Sequence, residues 1–210
     1  MSKVNKLLDA LFPNFTCVAC GAEIQSSPNA YLCEKCAESL PFNMDEDATH
    51  FAPFLYEEPI RSVILSLKYS DNGFAARAVA PYMAAVYLKR IKKKSPHVII
   101  PVPLCKSRLH ERGYNQSELL AKEIADYLAL PIMNDVLIRI KKTTPQKNMT
   151  PTERMENMKG AFAVVGDVRG KHILLIDDVY TTGATTGECA KMLKTAGAKT
   201  IAILTVATVS

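Results

Sequence analysis

The sequence predicts an α/β protein whose mostly parallel sheet is flanked by helices and preceded by a small four-cysteine module. From residue 97 onward, short apolar runs alternate with longer segments that carry apolar residues at helical spacing. This alternation is typical of parallel sheets with right-handed crossovers. Before residue 45, two Cys-x-x-Cys pairs mark a separate unit. A hydrophobic content of 48% in 210 residues supports a packed core for one α/β domain with a small appendage.

Hydrophobic patterning places the individual elements. The predicted strands cover residues 98–102, 136–140, 161–165, 173–176 and 200–208. The predicted helices cover residues 57–69, 74–94, 115–130 and 188–196. Asn115 and Glu118 have N-cap spacing for the third helix, and Gly197 ends the fourth. Pro81 is expected to start, kink or interrupt the second helix, because proline has no amide hydrogen.

Four of the six cysteines have the spacing of metal ligands, namely Cys17, Cys20, Cys33 and Cys36. Two Cys-x-x-Cys pairs suit tetrahedral zinc, and four thiolates leave no open coordination position, which favours a structural role. The alternatives are an iron–sulfur cluster, a redox pair or two disulfides, and disulfides are disfavoured in a chain without an export signal. Residues 1–45 are therefore predicted to form a zinc-binding module, with a polar linker at residues 43–49. Cys105 and Cys189 stand alone and are expected to be small buried hydrophobic residues.

Charge and hydropathy narrow the classes of partner. The net charge of +5 and the isoelectric point near 8.8 suit a polyphosphate ligand or nucleic acid. No apolar run approaches the length of a membrane span. The short apolar patch at residues 7–12 is interrupted by Asp9 and lacks the long apolar core of a signal peptide. We therefore expect a cytoplasmic protein.

Residues 173–185 carry the most specific pattern in the chain. Four apolar residues suit a buried parallel strand, and Asp177 and Asp178 follow where that strand is expected to leave the sheet. The next residues offer hydroxyls, amides and a glycine that lets the backbone approach an anion, namely Thr181, Thr182, Gly183, Ala184 and Thr185. A helix beginning near Thr185 would add its partial positive charge, and Thr185 with Glu188 has capping-box spacing. No Gly-Lys-Ser/Thr follows, so a nucleoside-triphosphate P-loop is excluded.

This segment resembles the signature of type I phosphoribosyltransferases that binds 5-phosphoribosyl 1-pyrophosphate (PRPP). The resemblance implies that Asp177 and Asp178, the candidate catalytic residues, hold the ribose 2′- and 3′-hydroxyls. It also implies that residues 181–185 bind the 5′-phosphate. Type I phosphoribosyltransferases hold pyrophosphate in a loop after an earlier strand. That loop corresponds here to residues 103–116, after the strand that ends at Val102. The candidates at that loop are Val102, Pro103, Lys106, Arg108 and Arg112. The Val102–Pro103 bond could be cis at low cost.

The wider order of motifs resembles the ComF family of competence-related, phosphoribosyltransferase-like proteins. The four-cysteine module, Leu67-Lys68-Tyr69, Pro101-Val102-Pro103, Arg112-Gly113-Tyr114-Asn115-Gln116-Ser117 and the signature occur here in one order. The resemblance implies a phosphoribosyltransferase-like domain at residues 50–210. It further implies that a polar segment at residues 141–160 closes over the reacting centre.

Two functions follow as expectations. The first is a magnesium-dependent enzyme that transfers the pentosyl group of PRPP to an unknown acceptor and is linked to DNA uptake. The second is a non-catalytic factor that senses PRPP or handles single-stranded DNA. The expected cofactors are structural zinc and magnesium bound with PRPP. The expected partners are PRPP, with single-stranded DNA, DNA-uptake proteins and a second copy of the chain as further candidates.

Overall fold

The computed structural model describes residues 16–24, 31–45, 50–69, 73–141 and 149–209. Its α-helices are Glu34–Glu38 (α1), Ile60–Tyr69 (α2), Phe74–Val86 (α3), Lys106–Arg112 (α4), Gln116–Leu128 (α5), Pro151–Met158 (α6) and Ala184–Thr195 (α7). Its strands are Phe54–Leu55 (β1), Val98–Pro101 (β2), Leu137–Arg139 (β3), Phe162–Val164 (β4), His172–Tyr180 (β5) and Thr200–Thr208 (β6). A short π-helix at Tyr87–Ile91 and a 3-10 helix at Lys92–Lys94 follow α3.

The main sheet has four parallel strands in the order β1-β6-β5-β2, which confirms the predicted parallel α/β fold. β5 pairs with β6 from His172 to Tyr180, whereas its pairing with β2 stops at Ile176. One side of β5 is therefore open beyond Ile176. Because parallel strands end at the same edge of a sheet, this opening lies at the carboxyl edge, where α/β proteins bind ligands.

Helices cover both faces of the sheet. Leu174 and Ile176 of β5 belong to a core that also contains α2, α3 and α5, while Ile173 and Leu175 belong to a second core with α7. Successive side chains of a strand point to opposite faces, so burial on both faces explains why this strand reads as a continuous apolar run.

The cysteine-containing segment packs on the first of these cores. Tyr31 stacks on Phe74 of α3 with ring centroids 5.7 Å apart, and Leu32 is fully buried. The division into a module at residues 1–45 and a domain at residues 50–210 stays a prediction. Residues 46–49 of the predicted linker lie outside the described residues.

Several elements differ from the prediction. The segments predicted as strands at 136–140 and 161–165 pair with each other as a two-stranded antiparallel sheet, β3–β4, outside the main sheet. The central strand is longer than the predicted 173–176 and includes both aspartates. The helix predicted at 74–94 is α-helical only to Val86, and Pro81 lies inside it. The two-residue edge strand β1 and the short helices α4 and α6 were not predicted, because such short elements carry little periodicity.

None of the described helices combines the length and the apolar character that a bilayer crossing requires.

The fully buried Leu204 of β6 offers a test of the sheet core. We predict that Leu204→Ala lowers the free energy of unfolding by about 2–5 kcal/mol, because it leaves a cavity between the sheet and its helices. Leu88→Ala, at a leucine that is 54% exposed, is the matched control and is expected to change stability by no more than ~0.5 kcal/mol. Equal losses in urea denaturation would contradict this description of the core.

Candidate functional site

Two adjacent carboxylates lie at the centre of the site. Asp177 and Asp178 are only 6% and 7% exposed, and both lie within β5, just beyond its last pair with β2. Asp177 pairs with Thr205 of β6 on the other side. The prediction placed these residues where the strand leaves the sheet. The structure instead keeps them in the strand, and it is β2 that ends.

Each carboxylate is held by groups from elsewhere in the chain. Asp177 Oδ1 accepts hydrogen bonds from Ser117 Oγ and from the Asp178 amide, both at 2.9 Å. Asp178 Oδ1 accepts from the Val179 amide at 2.8 Å, and Asp178 Oδ2 forms an ion pair with Lys68 Nζ at 2.6 Å. Buried carboxylates require such partners, because an unpaired buried charge is strongly destabilising.

Burial is the main influence on the pKa of Asp177. Burial, followed by the charge of Asp178, raises the pKa of Asp177 to about 7, while the Asp178 amide, Ser117 and Lys68 oppose the rise. Burial alone would lower the pKa of Lys68, but the charge of Asp178 and its hydrogen bond raise that pKa above its ordinary value. The site thus combines one carboxylate whose proton is retained to unusually high pH with one that is paired to a lysine.

The helix that carries Ser117 is anchored to the loop after β2. Asn115 is its N-cap, as predicted, and accepts a hydrogen bond from the Ser117 amide at 3.1 Å. The Asn115 side-chain amide also donates to the Val102 carbonyl at 3.0 Å. The Val102–Pro103 bond is trans, since the cis bond among the described residues is Glu58–Pro59. Asn115 therefore fixes both the start of α5 and the beginning of the loop.

The turn after β5 leads directly into α7. Gly183 has φ 73° and is the N-cap of α7, which begins at Ala184. The predicted capping box of Thr185 and Glu188 is wrong, because Glu188 Oε1 instead accepts a hydrogen bond from the Gly160 amide at 2.8 Å. The Thr182 hydroxyl oxygen is buried and has no hydrogen-bond partner among the described residues. An unpartnered buried hydroxyl beside a helix N-terminus is suited to an anion.

Gly183 is also required sterically. A Cβ at this position would lie 2.8 Å from Cζ of Tyr180 and would overlap its hydroxyl. The Tyr180 ring is itself stacked on His50, with centroids 3.5 Å apart. The turn therefore folds closely over an aromatic ring that cannot easily move away.

A cavity of about 740 Å³ opens in front of the carboxylates. Its wall contains four of the five candidates from the loop after β2, together with both aspartates and Thr185, namely Val102, Pro103, Arg108, Arg112, Asp177, Asp178 and Thr185. Lys106 is exposed and does not line the cavity. Residues 181–184 form the adjoining turn rather than the cavity wall. The structure thus brings together the two predicted groups of residues, with Lys106 as the exception.

The cavity also contains residues that were not predicted as site residues, namely Lys68, Tyr69, Leu104, Glu111, Tyr114, Gln116 and Arg139. Arg112 donates a hydrogen bond to Gln116 and lies over the Tyr69 ring, 5.6 Å from its centroid. Tyr114 donates to the Leu67 carbonyl at 3.0 Å. Most of these residues, with Ser117, lie in the motifs around residues 67–69 and 112–117. A signal was therefore present in the sequence, but it did not show that these motifs reach the aspartates.

The four cysteines of the N-terminal segment meet at one point. The Sγ atoms of Cys17, Cys20, Cys33 and Cys36 all lie within 4.8 Å of one another, and those of Cys20 and Cys33 are 3.7 Å apart. Burial tends to raise the pKa of Cys17, but the amides of Cys20, Cys33 and Ala19 lower it to about 7. Amides directed at a thiolate and sulfurs at this spacing fit a tetrahedral metal ion with Zn–S bonds of about 2.3 Å. The four cysteines could therefore bind a metal ion.

The two remaining cysteines differ from each other. Cys189 is fully buried in α7, as predicted. Cys105 is only partly buried, at the start of α4, and its Sγ lies 3.4 Å from Ser107 Oγ, so the prediction of a buried hydrophobic residue is wrong there.

The fold and the site define the class of protein. Residues 115–210 match the phosphoribosyl transferase domain family. The chain is therefore an α/β protein that has a phosphoribosyl transferase domain in its C-terminal part and a four-cysteine cluster near its N-terminus.

Relatives identify the particular family. The chain is 30% identical to competence protein F of Haemophilus influenzae over 91% of its own length and 96% of that protein. The chain belongs to the competence protein F family. It is also 33% identical to competence protein ComFC of Streptococcus pneumoniae over 73% of its length and 65% of that protein. With DNA utilization protein YhgH of Escherichia coli O157:H7 the identity is 32% over 70% of the chain and 66% of the relative.

Solved structures are similar at a lower level. Adenine phosphoribosyltransferase from Leishmania tarentolae is 17% identical with a TM-score of 0.42, covering 71% of this chain and 62% of that one. Glutamine PRPP amidotransferase from B. subtilis is also 17% identical with a TM-score of 0.42, covering 67% and 30%.

The turn at Gly183 allows a direct test. We predict that Gly183→Ala lowers the free energy of unfolding by at least about 1–2 kcal/mol, because alanine is strained at this positive φ and its Cβ overlaps Tyr180. The matched control is Gly187→Ala, in the first turns of α7, where a Cβ has no neighbour within 4 Å. Alanine there is expected to stabilise the protein by about 0.5–1 kcal/mol. Thermal unfolding of both variants should give opposite signs, and a neutral Gly183→Ala would contradict the described turn.

Proposed function

We propose that the protein binds PRPP in this cavity and transfers its pentosyl group, with magnesium, to an acceptor that the sequence does not identify. The observation that carries the proposal is the pair of buried aspartates at the open carboxyl edge, followed directly by a turn and a helix N-terminus suited to a phosphate. The family assignment supports the same ligand class.

The aspartates are suited to the ribose hydroxyls. Ionised carboxylates accept hydrogen bonds strongly, and adjacent residues in a strand can serve the two neighbouring hydroxyls of a ribose. Both hydrogen bonds from Ser117 and the Asp178 amide go to Asp177 Oδ1, so we expect Asp177 Oδ2 to serve as an acceptor for the ligand. The 5′-phosphate would then lie on the amides and hydroxyls of residues 181–185, including the buried hydroxyl of Thr182.

The arginines of the cavity are suited to pyrophosphate. Arg108 and Arg112 belong to α4, which follows β2, and both line the cavity. A guanidinium can donate two hydrogen bonds to one phosphate group. Lys106 was a third candidate, but its exposed position outside the wall leaves this role to the arginines. Neutralising the departing pyrophosphate is the main electrostatic task of the reaction, in which the bond from ribose C1 to pyrophosphate breaks and the acceptor bonds to C1.

Magnesium would be held mainly through the ligand. Mg²⁺ keeps several of its waters and uses few protein carboxylates, and most carboxylate oxygens of the aspartate pair already have partners within the protein. When bound with PRPP, the ion would neutralise charge on the leaving pyrophosphate.

We expect the region at residues 141–160 to close over the cavity when the ligand is bound. Residues 142–148 lie outside the described residues. The rest of the region contains α6, which starts with a capping box in which the Glu153 amide donates to Thr150 and the Thr150 amide donates to Glu153. Excluding water here would protect the cation-like transition state.

The names of the relatives favour a second candidate. They are called competence and DNA utilization proteins, and a factor that binds PRPP without turnover could serve such a process through single-stranded DNA. Pyrophosphate release separates the two functions: an enzyme releases it from PRPP, at least with its acceptor, whereas a sensor binds PRPP and releases none. Binding to single-stranded DNA should weaken as salt rises.

We further propose that the cysteine cluster binds zinc in a structural role. Four sulfur ligands close the coordination sphere. The cluster lies in a segment that packs on α3, so zinc would hold that segment against the domain.

Calorimetry with PRPP and Mg²⁺ tests the ligand. In a buffer above the pKa of Asp177, where its carboxylate is ionised, the wild-type protein should bind, and Asp177→Asn and Asp178→Asn should each weaken binding about 10-fold or more, because a charged acceptor for a ribose hydroxyl is lost. Asp135→Asn, at an exposed aspartate outside the cavity, should bind like the wild type. No binding by the wild type, or equal binding by all four proteins, would refute the proposal.

Metal analysis tests the cluster. The purified protein should contain one zinc per chain, and Cys33→Ser should lose it and lower the free energy of unfolding by more than about 2 kcal/mol. Cys105→Ser, outside the cluster, should retain both the zinc and the stability. If Cys33→Ser leaves folding unchanged, zinc has no structural role.

A further inference from the structure

Lys68 occupies an unusual position for a lysine. It lies in the last turn of α2, its side chain is only 25% exposed, and its Nζ is 2.6 Å from Asp178 Oδ2 in the cavity wall. A lysine normally leaves its ammonium group in water. Here the ammonium group instead lies against a carboxylate of the cavity wall.

The fold fixes this position. Val63, Ile64 and Leu67 anchor α2 in the core, and the Tyr114 hydroxyl donates to the Leu67 carbonyl beside the lysine. A cation at a helix C-terminus is also favoured by the helix dipole. The core contacts of α2 and the hydrogen bond from Tyr114, which also lines the cavity, therefore hold Lys68 beside the aspartates.

The hydrogen bonds around the two carboxylates leave little room for a metal ion. Asp177 Oδ1 accepts from Ser117 and an amide, Asp178 Oδ1 accepts from an amide, and Asp178 Oδ2 is paired with Lys68. A divalent ion shared directly by both aspartates would need an oxygen from each. The oxygen that Asp178 would provide is held by the ammonium group, which itself carries the compensating charge.

We propose that Lys68 is the protein's own cation at the aspartate pair and takes the place of a divalent ion there. This proposal rests on the proposed function for its ligand. Its consequence is that the ribose 5-phosphate part of the ligand binds without metal, and that magnesium acts only where pyrophosphate is present. Lys68 is thus a positioning residue that holds Asp178 for the ribose hydroxyls.

The first experiment needs no sugar ligand. Mn²⁺ is titrated into the zinc-loaded protein and followed by electron paramagnetic resonance. The wild type should bind Mn²⁺ at the aspartates at least about 10-fold more weakly than Lys68→Met, because the acidic pair has lost its counter-ion in that variant. Lys191→Met, on the exposed surface of α7, should behave as the wild type. Wild-type binding as tight as that of Lys68→Met, or no gain in Lys68→Met, would overturn the proposal.

The second experiment measures the affinity for ribose 5-phosphate, which lacks pyrophosphate. The wild type should bind equally in EDTA and in Mg²⁺. Lys68→Met should bind about 10- to 100-fold more weakly in EDTA and recover partly when Mg²⁺ is added, while Lys68→Arg, which keeps the charge, should retain most of the affinity without metal. A wild type that requires Mg²⁺ for ribose 5-phosphate would refute the role of Lys68, and this arm holds even if Lys68→Met does not fold.

The two experiments separate the two proposals. If the wild type binds neither ribose 5-phosphate nor PRPP in any buffer, the proposed function fails, while the Mn²⁺ titration still decides whether Lys68 replaces a metal ion. If ribose 5-phosphate binds but depends on Mg²⁺ in the wild type, the proposed function stands and the inference about Lys68 is wrong.

Discussion

The structure depends on keeping two adjacent carboxylates buried in the middle of a sheet. Removing a carboxylate from water costs several kcal/mol unless hydrogen bonds and opposite charge offset the loss. Asp177 and Asp178 receive those groups from three places: Ser117 at the start of α5, Lys68 at the end of α2, and the backbone amides of β5 itself. The early end of β2 exposes one side of this pair to the cavity. The helices that deliver these groups are therefore constrained by the charge of the site as well as by hydrophobic packing.

Packing contacts and an ion pair connect the cysteine cluster to the aspartate pair. Tyr31 of the cysteine-containing segment stacks on Phe74 at the start of α3. Arg77 of α3 forms a largely buried ion pair with Glu123 of α5, at 3.4 Å, and α5 carries Ser117. A metal that fixes the cysteine segment would thus support, through two packed helices, the hydroxyl that donates to Asp177. This continuity gives a physical reason why the four-cysteine segment and the domain that carries the aspartate pair are found in one chain.

Sequence reasoning was most successful where a pattern is local. The apolar run before Asp177 predicts a strand buried on both faces, and the cysteine spacing predicts a cluster, because neither depends on distant residues. The extent of β5 could not be predicted, since a buried aspartate in a strand is stable only with partners that are distant in sequence, such as Ser117 and Lys68. The pairing of β3 with β4 and the position of Lys106 were missed for the same reason. Local patterns predict an element or a charge, but they do not predict which sheet a strand joins or which way a charged side chain faces. Glu188 likewise has a capping spacing with Thr185, yet a tertiary contact with Gly160 determines its partner.

The most direct test is a crystal structure of the protein with ribose 5-phosphate. We expect the phosphate group on the amides of residues 181–185, close to the Thr182 hydroxyl, and the ribose hydroxyls within hydrogen-bond distance of Asp177 and Asp178, with the Lys68–Asp178 ion pair intact. A sugar phosphate bound elsewhere, or aspartates that turn away from the ribose, would contradict the central claim that this buried pair exists to hold a ribosyl phosphate.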